Sequence, residues 1–185
     1  MSPATALSYA ITDRGGCHRR ARPFVAEQMM EPFVIEGRSE LVKALYDERI
    51  PWHCALCCDL STCTIGLNFQ DAAFMLSAVT GWNFTEDDMQ TLAERVASLI
   101  RSYNVREGAT RGDDTLAPRV FCTETADFAA GKALTREMLD TMLDEYYALR
   151  GWDREGIPTP ETLDKLDLGD VARELQEFHK FRRAE

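Results

Sequence analysis

Residues 53–63 read HCALCCDLSTC, which places His53 and the thiols of Cys54, Cys57, Cys58 and Cys63 within one short stretch. Zinc takes four ligands drawn from Cys and His, and iron–sulfur clusters take four thiolates. The Cys54-x-x-Cys57 spacing is compatible with a metal. The adjacent pair Cys57-Cys58 argues against both sulfurs on one ion, because neighbouring side chains on a helix point about 100° apart. Ala55 and Leu56 also lack the glycine and polar character of metal knuckles, and free cysteine is among the most buried residue types. Three readings stand: cysteines packed in a core, a self-contained metal site, or a site completed by groups outside this segment.

A second stretch able to do chemistry is ITDRGGCHRRARP (11–23). Gly15-Gly16 permits a backbone turn closed to other residues, and it presents Cys17 and His18 beside Arg14, Arg19 and Arg20. Such a segment reads as the rim of a site whose other wall lies elsewhere. A third stretch, NVREGATRGDDTLAPR (104–119), carries Arg106 and Arg111 with Asp113 and Asp114. It is read either as a loop bridged by its own ion pairs, each worth little if exposed, or as a border of a substrate channel or cofactor cover.

The elements that must position these residues are helical. Ser39 to about Asp59 is one expected helix, interrupted or kinked at Pro51, which removes a backbone donor. Gln70–Val79 is a short helix closed by Gly81. Thr85 with Asp88 three residues on forms a capping box, followed by apolar residues at Met89, Leu92, Val96, Leu99, Ile100 and Tyr103. Thr135–Leu149 repeats the pattern through Met138, Met142 and Tyr146 and ends at Gly151. Thr159-Pro160 is an N-cap with Pro at N1, and a last helix covers about Leu168–Phe181. No stretch alternates apolar and polar residues with β-branched enrichment, so the expected fold class is all-α, an irregular helical bundle. Glu107–Ala133 is a long linker of the kind that is often functional.

Composition narrows the partners. The chain has 185 residues, 45% hydrophobic and 28% charged, with a formal net charge of −10. Nucleic acid and anionic membranes recruit Lys and Arg, and this balance argues against both. No apolar run approaches the roughly 20 residues of a membrane-spanning helix. The first thirty residues hold arginines and no apolar signal core, so the expected compartment is the reducing cytoplasm, where structural disulfides are rare.

Four stretches in order, LSYAITDRGGCHRRA (7–21), MLSAVTGWNFTEDDM (75–89), ERVASLIRSYNVREGATRGDDTLAPR (94–119) and MLDEYYALRGWDREGIPTPETLDKL (142–166), closely resemble the C-terminal region of the tungsten-containing aldehyde:ferredoxin oxidoreductases. The resemblance covers nearly all of residues 1–185. It implies oxidation of aldehydes to carboxylic acids, with electrons passing from a tungsten or molybdenum bis-pterin cofactor to a [4Fe–4S] cluster and on to ferredoxin. It implies that the pterin-binding base and a C-x-x-C-x-x-x-C motif supplying three cluster cysteines lie outside this chain, in an upstream part or a split partner subunit. It also implies that the chain alone is inactive.

The family's D-x-x-G-L-C motif, whose Asp binds a pterin and whose Cys is the fourth cluster ligand, falls on Cys58-Asp-Leu-Ser-Thr-Cys63. Cys63 matches the ligand. Cys58 stands where the aspartate belongs, and Asp59 is one residue late, a pterin contact only with a shift of register. Cys54, Cys57 and Cys58 then need bind no metal and read as packing along a helix. The family's R-G-x-x-H element falls on Arg14–His18, and the resemblance implies that His18 lies near the metal, donating to a substrate oxygen or relaying a proton. His53 and His179 match no motif. Two other classes remain: a non-catalytic helical binding module that has lost its cofactor, and a small protein binding metal locally through its cysteines.

Overall fold

The computed structural model describes residues 1–122 and 133–182, with backbone alone for 179–182. The expected linker residues 123–132 and the His179 side chain lie outside the described residues. The fold is all-α, with no strand among the described residues. The helices are α1 (Pro3–Ala10), α2 (Phe24–Glu27), α3 (Arg38–Cys54), α4 (Asp59–Thr64), α5 (Phe69–Thr80), α6 (Glu86–Arg106), α7 (Arg136–Arg150), α8 (Pro160–Lys165) and α9 (Gly169–Arg182). Two short 3-10 turns, Arg111–Asp113 and Pro118–Phe121, lie between α6 and α7.

The helix ends follow local chemistry. Thr85 Oγ1 accepts from the Asp88 amide while the Asp88 carboxylate accepts from the Thr85 amide, closing the expected capping box of α6. Asn68 and Asp71 do the same for α5. Thr135 and Thr159 cap α7 and α8 through their hydroxyls. Gly81 and Gly151 adopt the left-handed conformation that ends α5 and α7. Pro51 does not stop α3, which continues through Cys54.

The chain forms two compact units. The first comprises Met1–Leu45 and Gly108–Ile157. In it α1 packs on α7 and on α2, and the core collects Leu7, Val42, Leu139, Met142, Leu143, Tyr146 and Tyr147. Ser2, the N-cap of α1, makes no local cap bond. Instead the buried Glu27 carboxylate reaches back across the fold. It accepts from Ser2 Oγ at 2.6 Å, the Ala4 amide at 2.6 Å, the Thr5 amide at 3.0 Å and Thr5 Oγ1 at 2.9 Å. A carboxylate there satisfies orphan helix donors and complements the positive end of the helix dipole.

The second unit comprises Tyr46–Glu107 and Pro158–Glu185. There α5 packs on α6, and α9 packs on both α6 and α8. Trp52, Ala72, Ala73 and Met89 form a core patch with Cys57, Leu67, Phe69, Leu76 and Phe84 against it. The buried line of α6 differs from the expected one. Met89, Ala93, Ala97, Ser98, Arg101, Ser102 and Val105 face inward, whereas Leu92 and Val96 are half-buried and Leu99 is exposed. Small side chains let neighbouring helices approach closely, so contact is made by alanine and serine and the larger residues flank it. In α7 the expected Met142 and Tyr146 are buried and Met138 is half-buried.

Candidate functional site

The cysteine-rich stretch is a helix end, a turn and a new helix, where one continuous helix was expected. After Cys54 the Leu56 amide donates to the His53 carbonyl at 3.1 Å and the Cys57 amide to the Trp52 carbonyl at 2.9 Å. That is the paired closure of a Schellman turn, with Leu56 at the left-handed position (φ 58°) normally held by glycine. Cys58 is extended and precedes α4. A second such turn closes α4: Gly66 (φ 72°) donates to the Cys63 carbonyl at 3.3 Å, and Leu67 to the Thr62 carbonyl at 3.0 Å. Cys63 therefore sits half-buried in a short helix fixed at both ends.

This geometry corrects the reading of Cys54, Cys57 and Cys58 as packing residues along a helix. Only Cys57 packs against the core, from within the turn. Cys54, the last residue of α3, is exposed, and so is Cys58, which the turn at Leu56 carries off the helix line. Among the described residues, no three His, Cys, Asp or Glu side chains converge as a metal-binding group. The four cysteines are thus not gathered as a local site.

Asp59 opens α4 with its side chain buried, and its Oδ1 lies 3.6 Å from His53 Nε2. His53, unassigned by sequence reasoning, is half-buried and braces the turn. The signal available was positional: a histidine in the last turn of one helix and an aspartate in the first turn of the next.

In the first unit, the Asp13–Arg22 segment is braced by its own charges. Arg20 forks onto Asp13, Nε to Oδ1 at 2.7 Å and Nη2 to Oδ2 at 2.6 Å. Such bidentate pairs fix geometry as well as adding energy. Inside this clamp Arg14 Nη2 donates to Cys17 Sγ at 3.0 Å, and the Arg19 amide donates to the same sulfur at 3.4 Å. His18 is exposed between the two donors. The clamp was missed in the sequence, although opposite charges seven residues apart across a Gly-Gly turn were its signal.

The charged loop is tied outward more than to itself. Arg111 pairs with Asp144 at 2.7 Å, donates to the Arg154 carbonyl at 2.8 Å and lies over the Tyr147 ring. Asp114 is buried and accepts from the Tyr147 hydroxyl. Asp113 caps Thr110 within the loop. Arg106, at the end of α6, bonds Glu174 at 2.7 Å and Glu107 at 3.1 Å.

This all-α arrangement is that of the helical domains of an oxidoreductase family. The chain belongs to the aldehyde ferredoxin oxidoreductase family: residues 1–168 match the family model described as aldehyde ferredoxin oxidoreductase, domains 2 and 3. It is 28% identical over 170 residues to the tungsten-containing aldehyde ferredoxin oxidoreductase of Pyrococcus furiosus, covering 89% of this chain and 28% of that one. A similar enzyme of Thermococcus kodakarensis is 28% identical over 169 residues, covering 89% of this chain and 28% of that one. The aliphatic sulfonate oxidoreductase WOR-like subunit of Pyrococcus furiosus is 27% identical over 180 residues, covering 94% and 26%. In fold the chain is similar to the active-site complex BamBC of benzoyl coenzyme A reductase in complex with 1,5-dienoyl-CoA. That match has a TM-score of 0.72 at 21% identity, over 96% of this chain and 32% of that one. The chain spans about a quarter of the length of the relatives it matches. Among the described residues no helix is long and apolar enough to cross a membrane.

Proposed function

We propose that this chain is the C-terminal helical portion of a cytoplasmic tungsten or molybdenum pterin oxidoreductase that converts aldehydes to carboxylic acids. The remaining parts are an upstream segment or partner subunit carrying the pterin-binding base and three cluster cysteines. The observation that carries this reading is the family match over residues 1–168.

The overall change is RCHO plus water giving RCOOH, two protons and two electrons. When bound, the metal–pterin group and the [4Fe–4S] cluster supply the route for those electrons, toward ferredoxin. This chain's contribution to the cluster is one thiolate: Cys63 is half-buried on a helix anchored by two tight turns, which fits a fourth ligand and does not make a complete site. His18 acts on substrate. Attack of water at the aldehyde carbon places charge on oxygen, and the imidazole N–H donates to it. The Asp13–Arg20 fork holds the loop that presents His18. Asp59 as a pterin contact rests on the resemblance alone, and its buried carboxylate already has a use beside His53.

The test is anaerobic co-expression with the upstream cysteine-bearing polypeptide, followed by iron, sulfide and tungsten analysis and by aldehyde-dependent dye reduction. Turnover by the complex and none by the chain alone is expected; turnover by the chain alone sinks the shared-site reading. A second reading, a non-catalytic binding module, is favoured by one observation: Cys58, at the family's aspartate position, is exposed while Asp59 turns inward to His53. A complex that assembles with cluster but without tungsten would support it.

A further inference from the structure

The Asp13–Arg22 loop is exposed at its tip yet fixed at several points. Left-handed backbone brackets it, at Gly15 (φ 72°) and at Arg22 (φ 52°). Arginine takes that conformation only against strain, and strained residues cluster at binding and catalytic sites. The Arg20–Asp13 fork closes the loop. Cys17 Sγ then gathers the Arg14 guanidinium and the Arg19 amide onto one atom. His18 stands between these two donors in the chain, and Arg14, His18 and Arg19 are all exposed.

The charge of this loop is opposite to that of the chain. Arg14, Arg19, Arg20 and Arg22 stand against Asp13 alone, whereas the whole chain has a formal net charge of −10. Asp13 is taken by Arg20, and Arg22 lies over the Phe24 ring. Arg19 has no carboxylate partner among the described residues, although the chain holds 31 Asp and Glu. Guanidinium groups match carboxylates in geometry and charge. The Arg14 guanidinium is already tethered at Cys17, so an anion arriving there meets a donor that needs little further ordering. We infer that Arg14 and Arg19 bind the anionic end of the substrate, so that the preferred substrate is an aldehyde carrying a carboxylate. This rests on the proposed action of His18 on the substrate oxygen. A carboxylate held by the two arginines orients the aldehyde end toward the imidazole, and binding energy from the non-reacting end of the substrate goes into that orientation.

Two measurements test this, with Arg19→Gln as the variant and Arg173→Gln, an exposed arginine of the second unit, as the control. In the first, the full chain labelled with nitrogen-15 is titrated with succinate and, as a neutral match, with butane-1,4-diol. Succinate is expected to shift the amide signals of residues 14–19, more weakly at high salt and in Arg19→Gln, and the diol is expected to leave them in place. Succinate shifts that survive Arg19→Gln, or that spread over arginines elsewhere in the chain, overturn the site. In the second, the complex co-expressed with the upstream polypeptide is assayed with 4-oxobutanoate and with butanal. The ratio of their kcat/KM values is expected to favour 4-oxobutanoate by about tenfold, to fall toward one in Arg19→Gln through KM for 4-oxobutanoate, and to hold in Arg173→Gln. Equal kcat/KM values, or a preference that Arg19→Gln leaves untouched, overturn the inference and leave the proposed function intact. No turnover of either aldehyde overturns the proposed function and this inference with it.

Discussion

His53 Nε2 lies 3.6 Å from Asp59 Oδ1 across the turn that separates α3 from α4. The contact fixes the start of α4, and with it the direction in which Cys63 leaves the backbone one turn later. Asp59 is buried, so removing its carboxylate leaves the turn without this brace. Asp59→Ala is expected to lower stability by about 1 kcal/mol or less, read by denaturant unfolding. In a double-mutant cycle with His53→Ala, the two effects should be less than additive. Full additivity would show that the pair does not act as one.

Glu27 holds four donors at the start of α1 from more than twenty residues away. Arg38, also buried, approaches it to 3.9 Å. Glu27→Ala leaves those donors without their acceptor and the buried Arg38 guanidinium without its opposite charge, and should cost on the order of 3–5 kcal/mol. Glu27→Gln keeps one acceptor oxygen and should cost less. Thermal unfolding of both variants orders them, and equal losses would contradict the capping account.

Much of the scaffold was legible because helix ends are written locally. Thr85 with Asp88, Thr135, and Thr159 before Pro160 all cap where their side chains predict, and Gly81 and Gly151 end their helices as expected. The site was less legible because its decisive features lack local marks. The turn after Cys54 uses leucine at the glycine position, so nothing signalled that the helix would end before Cys58. The buried line of α6 runs through Ala93, Ala97 and Ser98, which a hydrophobic pattern undercounts. The Glu27 cap and the Asp114–Tyr147 hydrogen bond join residues far apart in sequence.

The α6 cap also carries a pH dependence. The hydrogen bond from the Thr85 side chain, followed by that from its backbone amide, holds the Asp88 carboxyl below the ordinary aspartate range. A depressed folded-state pKa means a contribution that is fully present above the unfolded value of about 3.9. That contribution is lost as pH falls through the lower folded value. Stability measured from pH 5 downward should show this loss, and Thr85→Val should reduce it. Thr85→Ala should in addition lower stability by about 1 kcal/mol at neutral pH. An unchanged acid limb in both variants would show that Asp88 titrates without regard to the cap.

Leu56 carries backbone strain that burial does not offset. Its left-handed backbone suits glycine, and its exposed side chain buries little in this chain. Leu56→Gly should relieve strain and raise the stability of the isolated chain by about 0.5–1 kcal/mol, net of the extra freedom glycine gives the unfolded state. Destabilisation of the isolated chain would place the value of Leu56 within the second unit itself.

The thiols can be sorted by which of them a cluster requires. Cys63 stands on a helix locked by the turns at Leu56 and Gly66, with its sequence neighbours Cys54 and Cys58 exposed and Cys57 packed against the core patch of the second unit. In the assembled complex, Cys63→Ser should reduce iron and sulfide to the level of the partner alone and remove the low-temperature electron paramagnetic resonance signal of the reduced cluster. Cys54→Ser and Cys58→Ser, altering exposed side chains, should leave cluster content unchanged. Cys57→Ser should lower stability by about 1 kcal/mol through lost packing, since a hydroxyl replaces a sulfur against an apolar patch. Chelation of iron from the complex should weaken its hold on the partner if the shared cluster links the two polypeptides. Loss of cluster in Cys54→Ser or Cys58→Ser with Cys63 intact would move the ligand to one of those positions and overturn the assignment of Cys63.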